Sequence, residues 1–331
     1  MDKICLGTIG SGVIVHSILD AVKVTDNICL EAVYSRTEEK GRELAKAYGA
    51  EKVYTDLNMM LADESINYIY IASPNNLHYE YSKKALLAGK NVLCEKPFCT
   101  KAEQAKELYA IADEKGLDLV EMVPTSYLPN FDVLSKAVEE IGRIKLVLGN
   151  YTQYSSRYDK LLAGELPNVF NAQYAGGCLM DINYYNVYLT LALFGKPESA
   201  VYYPNMYGGV DTSGNMVMVY PGFVANLAGA KDCHGDSFYQ IEGEKGFINV
   251  IGGSNGLAKI RIVTGDKDET LDLQPNPDRW YYEIQVLTPL LLAGDKSVFE
   301  KRRSITMMQT ELIEKARKAA GIIFPGDDVN E

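Results

Sequence analysis

A chain of 331 residues is too long for one ordinary core, so two domains are expected. Hydrophobic residues make up 47% and charged residues 23%, an ordinary globular balance. The net charge of -11 argues against nucleic acid or an anionic membrane as main partner, and no apolar run of about 18 residues exists to span a bilayer.

The first part of the chain alternates strand and helix. Residues 3–7 read as a short apolar strand and 13–24 as a helix. Residues 28–34 form the second strand, and 38–48 an amphipathic helix stopped by Gly49. A brief strand at 52–53 and a short helix at 55–61 lead to 68–72, an apolar run suited to a strand buried on both faces. A helix over 78–88, a strand at 91–94, a helix over 101–115 capped by Thr100 and a strand at 117–122 complete the pattern. Strands joined by helices of this length make right-handed crossovers, hence a doubly wound parallel Rossmann sheet.

The rhythm changes near residue 123. Helices are expected at 131–140, 181–194, 281–292 and 304–319. Alternating strands are expected at 144–154, 199–203, 215–220, 224–230, 237–242, 247–251 and 259–264. The reading is a dinucleotide-binding domain over 1–122 and an α+β domain over 123–331, built on a large, mostly antiparallel open sheet for substrate and oligomerisation.

Gly10, Ser11 and Gly12 follow the first strand directly and open the first helix, continuing into Val13 and Ile14. In that context Gly10 permits the tight turn and Gly12 lets a pyrophosphate approach the backbone, while the helix N-terminus offers N–H groups. Val15 stands where the fingerprint has Gly or Ala, which implies looser packing of helix on strand. The second strand ends in Ser35 and Arg36, with Lys40 one turn on, instead of the carboxylate that holds both ribose hydroxyls of NAD. Hydrogen-bond donors and positive charge there suit a 2′-phosphate, so NADP is favoured over NAD; the alternative is that Arg36 stacks on adenine or faces solvent.

Two further elements are distinctive: Ser73-Pro74-Asn75-Asn76-Leu77-His78, then Gly89-Lys90 followed by Glu95-Lys96-Pro97. With Ala175-Gly176-Gly177 leading to Asp181 and Tyr185, they resemble the Gfo/Idh/MocA family of oxidoreductases. The resemblance implies that Ser73, Pro74, Asn75, Leu77, His78 and Glu95 lie about the cofactor, with His78 near the nicotinamide ribose. It further implies that Lys96 contacts the reacting oxygen, that Tyr185 is the general acid/base, and that Asp181 hydrogen-bonds substrate or Lys96. Asp181 and Tyr185 are four apart and share a face on a helix. Tyr184 is the neighbouring candidate, which the spacing disfavours. A tyrosine ordinarily ionises near 10, so a nearby ammonium is needed to favour its phenolate. Ala175 and Asn183 stand where the family pattern has Gly, and Ser126-Tyr127-Leu128-Pro129 lacks the family's frequent Arg, so the substrate pocket differs from those of well-known members.

The six cysteines show no paired metal-ligand spacing and only three histidines are present, so no metal site is expected. His16 reads as structural and His234 as a loop residue. The 23 tyrosines suit core and subunit interfaces, and an alternating sheet in need of a cover suggests a homodimer or homotetramer. The N-terminus lacks a signal-peptide pattern, so a cytoplasmic protein is expected. The expected function is an NAD(P)-dependent oxidoreductase acting on a sugar, polyol or related cyclic alcohol. The competing classes are an NAD-dependent glycosidase of the same fold and a non-catalytic NAD(P)-binding sensor.

Overall fold

The computed structural model describes residues 2–265 and 267–327. The chain packs as two units, one running to Val123 and including Asp278–Ser304, the other comprising Pro124–Pro277 and the chain from Ile305.

In the first unit, β1 (Ile4–Ile9), β2 (Ile28–Tyr34), β3 (Lys52–Tyr54), β4 (Tyr68–Ile71), β5 (Asn91–Glu95) and β6 (Leu119–Met122) form one parallel sheet in the order β3-β2-β1-β4-β5-β6. Helices α1 (Val13–Lys23), α2 (Glu38–Tyr48), α3 (Leu57–Leu61), α4 (His78–Leu87) and α5 (Ala102–Lys115) lie between successive strands, up to β6. This is the doubly wound sheet that the alternation implied. β4 and β5 are buried at every position, as central parallel strands covered on both faces must be. Strand order reverses between β1 and β4, and at such a point an open sheet binds ligands at its carboxyl ends. Thr100 was expected to cap α5, but the cap position is Lys101, and the Thr100 hydroxyl donates to Gln104 Oε1 instead.

In the second unit, α6 (Pro129–Glu140), β7 (Ile144–Thr152) and α7 (Tyr158–Leu162) are followed by a π-helical turn, Leu179–Asn183, that runs into α8 (Tyr184–Phe194). Then come β8 (Ser199–Tyr207), β9 (Val210–Tyr220), β10 (Phe223–Ala230), β11 (Phe238–Gly243), β12 (Gly246–Ile251), β13 (Lys259–Thr264) and β14 (Lys267–Leu271). The eight strands pair in the order β14-β13-β12-β11-β7-β10-β9-β8, antiparallel except for β7 beside β10. α8 is buried from Tyr184 to Ala192, which explains why its sequence shows no polar face. β14 was not anticipated because Lys267-Asp268-Glu269 is charged, which suits an edge strand.

Two helices close the chain, α9 (Arg279–Ala293) and α10 (Glu300–Ala319). Chain order puts α9 beyond the boundary near residue 122, yet it packs on α1 in the first unit. Gln285 anchors it by donating to Thr25 Oγ1 at 2.7 Å. Among the described residues, no helix is long and apolar enough to cross a membrane.

One side-chain exchange shapes the second unit. Asn183 is fully buried and donates to the Leu227 carbonyl at 2.9 Å, tying the π turn to β10. It fits because β10 carries Gly229 opposite, where an added Cβ would stand 2.6 Å from the Asn183 Cβ and 3.1 Å from Cys178 Sγ. Gly229→Ala is therefore expected to destabilise the protein by about 1–3 kcal/mol in urea denaturation, the usual cost of overpacking. Asn183→Gly in the same chain should relieve part of that loss. Strictly additive costs in the double-mutant cycle would show that the two positions do not share the space.

Candidate active site

The carboxyl end of β1 turns at Gly10, whose φ of 124° lies where L side chains rarely go. A Cβ there would stand 2.4 Å from the Ala72 carbonyl oxygen, so the turn can pass over the end of β4 only without one. Gly12, at the cap position of α1, is different: a Cβ there would meet nothing within 4 Å, so the space beside its backbone is open. The first turn of α1 holds no acidic residue and no side-chain cap, and Val13 is 72% exposed. Open backbone at a helix N-terminus fits a dinucleotide pyrophosphate. Val15 is fully buried, so the departure from Gly or Ala does not loosen the packing as expected; the larger side chain fills the space under the loop.

Ser35 is tied into the sheet edge by its backbone, its N–H donating to Tyr54 O at 3.0 Å. Its hydroxyl accepts from the Thr37 N–H, while Arg36 and Lys40 are exposed. A cation with this freedom suits a ribose phosphate. The nearby Tyr81 ring meets Tyr34 edge-on.

Ser73, Pro74, Asn75 and Leu77 are half-buried in the loop and short 3-10 turn that follow β4. His78 is buried, with Nδ1 2.9 Å from the Pro97 carbonyl and Nε2 3.0 Å from the Ser73 carbonyl. A neutral imidazole donates through one nitrogen only, so one of these contacts is a hydrogen bond for either tautomer. Burial holds its pKa below the ordinary histidine value, against the pull of the two carbonyls. His78 thus pins the loop after β4 to the loop after β5, and both ring nitrogens face protein oxygens.

β5 delivers Glu95-Lys96-Pro97, with a cis Lys96–Pro97 bond. The next residue, Phe98, donates its N–H to buried Glu121 at 3.2 Å and stacks on Tyr109. From Asn91 to Cys99, Lys96 is the one residue that is not buried. The Glu95 carboxyl points into the unit, where it accepts from the Tyr70 hydroxyl at 3.0 Å. Burial raises its pKa to about 7, with the Lys96 charge opposing. Glu283, on α9, is buried, burial pushes its pKa well up, and among the described residues neither carboxylate oxygen has a hydrogen-bond partner. Glu95 adds to that rise by repulsion. Sequence reasoning missed Glu283, since nothing local marks it and α9 reaches this unit only in three dimensions.

In the second unit, Ala175 adopts a left-handed φ of 53°, which explains the Gly of the family pattern there. Gly176 and Gly177 are sterically required, because a Cβ would stand 2.6 Å from Asn168 O and 2.1 Å from Asp211 Oδ1 respectively. Asp211 is fully buried and accepts from the Leu179 N–H at 2.6 Å and the Tyr202 hydroxyl at 2.7 Å, holding the start of the π turn. Asp181 sits within that turn and forms an ion pair with Lys231, at the end of β10. Lys231 is 3% exposed, and its ammonium also lies 4.9 Å from the centre of the Phe170 ring. A buried ammonium needs such a partner, so Lys231 was not to be read from its place in a loop.

Tyr185, 4% exposed, is the second residue of α8, just after the turn, and meets Tyr151 edge-on at 6.0 Å. The Tyr151 hydroxyl accepts from Asn255 Nδ2 at 2.6 Å. Tyr184, the alternative, is 2% exposed, and its carbonyl accepts from Gln309. His16 is exposed and bonds the Tyr48 hydroxyl at 3.0 Å, and exposed His234 stacks on Tyr154 at 4.7 Å.

Residues 4–122 match the model of the GFO_IDH_MocA oxidoreductase family, described as an NAD-binding Rossmann fold, and residues 136–249 match the GFO/IDH/MocA C-terminal domain. The chain is similar to the scyllo-inositol 2-dehydrogenase (NADP(+)) IolU of Bacillus subtilis, 34% identical over 327 residues, spanning 96% of this chain and 98% of that one. It is 32% identical over 323 residues to the uncharacterized oxidoreductase YgjR of Escherichia coli, spanning 97% and 98%. Among solved structures, the 3-ketoreductase KijD10 from Actinomadura kijaniata, in complex with NADP and TDP-benzene, aligns with a TM-score of 0.83 over 96% of this chain and 97% of that one. At 23% identity, that likeness is one of fold.

The raised pKa of Glu95 sets a pH dependence. The folded protein binds this proton more tightly than the unfolded chain, so the contribution is full below about 4.5 and is lost as pH rises through about 7. Glu95→Gln keeps an acceptor for Tyr70 and removes the charge. Relative to the parent, it should gain about 2–3 kcal/mol of unfolding free energy between about pH 5 and about pH 8. An equal difference at both pH values would mean that Glu95 does not titrate in this range.

Proposed function

The chain belongs to the GFO/IDH/MocA family of oxidoreductases and carries its NAD-binding Rossmann fold, and from that premise we propose that it moves hydride between a nicotinamide and the carbinol carbon of a sugar, polyol or related cyclic alcohol. The observation that carries this reading is the turn after β5. There Lys96, half-buried in an otherwise buried run, is held by His78 and Glu121 through its neighbours Pro97 and Phe98.

When bound, the nicotinamide supplies the hydride acceptor or donor. Gly10, Ser11, Gly12, Val13 and Ile14 hold the pyrophosphate at the start of α1. Ser35 and Arg36 take the 2′-phosphate, which makes NADP the preferred cofactor over NAD. The names of IolU and of the KijD10 complex both carry NADP, which supports the same choice. Ser73, Pro74, Asn75 and Leu77 line the ribose side, with His78 and Glu95 setting the loops.

In the oxidative direction, Tyr185 accepts the hydroxyl proton as the carbon loses hydride, and Lys96 polarises the oxygen that becomes the carbonyl. In reduction, Tyr185 returns the proton. Asp181, anchored by Lys231, accepts a hydrogen bond from a neighbouring hydroxyl, which favours substrates with vicinal oxygens. The name of IolU, with its cyclic polyol, agrees with this class.

Steady-state kinetics over a panel of inositols, aldoses and dihydrodiols, read at the NADPH absorbance band, tests the assignment. Lys96→Ala and Tyr185→Phe should each lower kcat by about 10²–10⁴ with NADP affinity nearly unchanged. Arg36→Ala should weaken NADP by roughly tenfold or more and leave NAD alone. Undiminished turnover in the Lys96 variant ends this mechanism, and an unchanged NADP preference without Arg36 ends the cofactor assignment.

The edge strand β8 exposes Val201, Tyr203, Met206 and Tyr207, at 47%, 62%, 45% and 44%. An apolar edge of this kind needs a cover, and a second copy of the chain in a homodimer or homotetramer supplies one. Sedimentation should show the assembly in the parent and a shift toward monomer in Tyr203→Lys. A monomeric parent removes this part of the reading.

A further inference from the structure

At the amino-terminal ends of β1 and β2, opposite the loops described above, two cysteines far apart in sequence become direct neighbours. The strands are parallel, with Cys5 paired to Cys29. Side chains alternate along a strand, so Cys5 projects from the face opposite Ile4 and Leu6, and Cys29 and Glu31 from the face opposite Ile28 and Leu30. The burial pattern follows: those four aliphatics are buried, while Cys5, Cys29 and Glu31 are half-buried. The two sulfurs and a Glu31 carboxylate oxygen all lie within 4.8 Å of one another. Both thiols are free.

We propose that Cys5, Cys29 and Glu31 form a binding site for a thiophilic divalent ion of the zinc and cadmium class, separate from the reaction chemistry. Two thiolates bound tetrahedrally at about 2.3 Å stand roughly 3.8 Å apart, and a carboxylate oxygen at about 2.1 Å falls between. The trio needs to contract by no more than about an ångström to meet that geometry, and a fourth position stays open to water. A disulfide fits less well, because its sulfurs must close to about 2.05 Å and an oxidant must remove two electrons.

The surroundings serve the same end. Lys3, on the same face two residues before Cys5, hydrogen-bonds the Cys29 side chain; being exposed, its ammonium can swing into solvent when an ion arrives. Lys52 at 3.1 Å and Ser65 at 3.0 Å both hold Glu31 through Oε1, which fixes the carboxylate beside the sulfurs. The Asn67 side chain fixes the backbone, accepting from the Cys5 N–H at 2.8 Å and donating to Lys3 O at 2.9 Å. Binding breaks two S–H bonds and forms two metal–sulfur bonds, releasing two protons, with no change of oxidation state.

The test titrates the cofactor-loaded, full-length protein with cadmium(II), in a Cys233→Ser background that removes the exposed thiol. The expected result is one ion per chain, a sulfur-to-cadmium charge-transfer band sized for two thiolates, two protons released, and displacement by zinc(II). Cys5→Ser and Cys29→Ser should each abolish the two-thiolate band, and Glu31→Gln should weaken binding by at least about tenfold. Cadmium should also raise the thermal midpoint of the parent but not of the Cys5→Ser, Cys29→Ser double variant, provided that both fold to the same circular dichroism spectrum. A band that survives in the double variant, a one-thiolate band in the parent, or no band at all overturns the site. Hydride-transfer activity is not read, so failure here leaves the oxidoreductase assignment standing, and the reverse.

Discussion

Much of the first unit hangs on one close approach. Where a Cβ of residue 10 would stand, the carbonyl oxygen of Ala72 lies 2.4 Å away, so the chain can leave β1 across the end of β4 only with glycine. That crossing happens where the strand order reverses, and it brings the start of α1 and the loops after β4 and β5 to one edge of the sheet. The loops are then joined to each other by His78 between Ser73 and Pro97. An ammonium at Lys96 gains a defined place because its backbone is tied on both sides before its side chain is asked to do anything.

The second unit solves a comparable problem with carboxylates. Asp211 is buried among donors from Leu179 and Tyr202, and it occupies the volume that a side chain at Gly177 would need. The π turn that results carries Asp181 to Lys231, a pair in which the cation is nearly inaccessible to water. A π turn shifts the register of a helix locally, and such turns gather at functional positions. Asn183 then takes the room left by Gly229 and joins the turn to β10. The departure from the family pattern at Asn183 is therefore explained by a small partner across the sheet, whereas the left-handed backbone at Ala175 accounts for the Gly of the pattern and not for the Ala that replaces it.

Charge burial is shared between the units in opposite ways. In the second, Asp181 and Lys231 neutralise each other. In the first, Glu95 and Glu283 are carboxyls of like sign in a dry interior, and both are driven toward the protonated form. Protonation eases that burial, with the charges of Lys96, Arg279 and Arg302 opposing the rise in pKa.

Sequence by itself determined the doubly wound sheet, the glycine turn at Gly10 and Gly12, and the turn bearing Lys96, because these depend on local periodicity and on residue types acting within a few positions. It also marked Tyr185 and Asp181 by motif. The contacts of those residues were decided by tertiary structure, since Lys231 meets Asp181 across 50 positions and α9 brings Glu283 back to the first sheet. Cys5 and Cys29 make the same point most plainly. No spacing along the chain relates them, and they become neighbours only because parallel strands lie side by side in a register that hydrophobic burial selects.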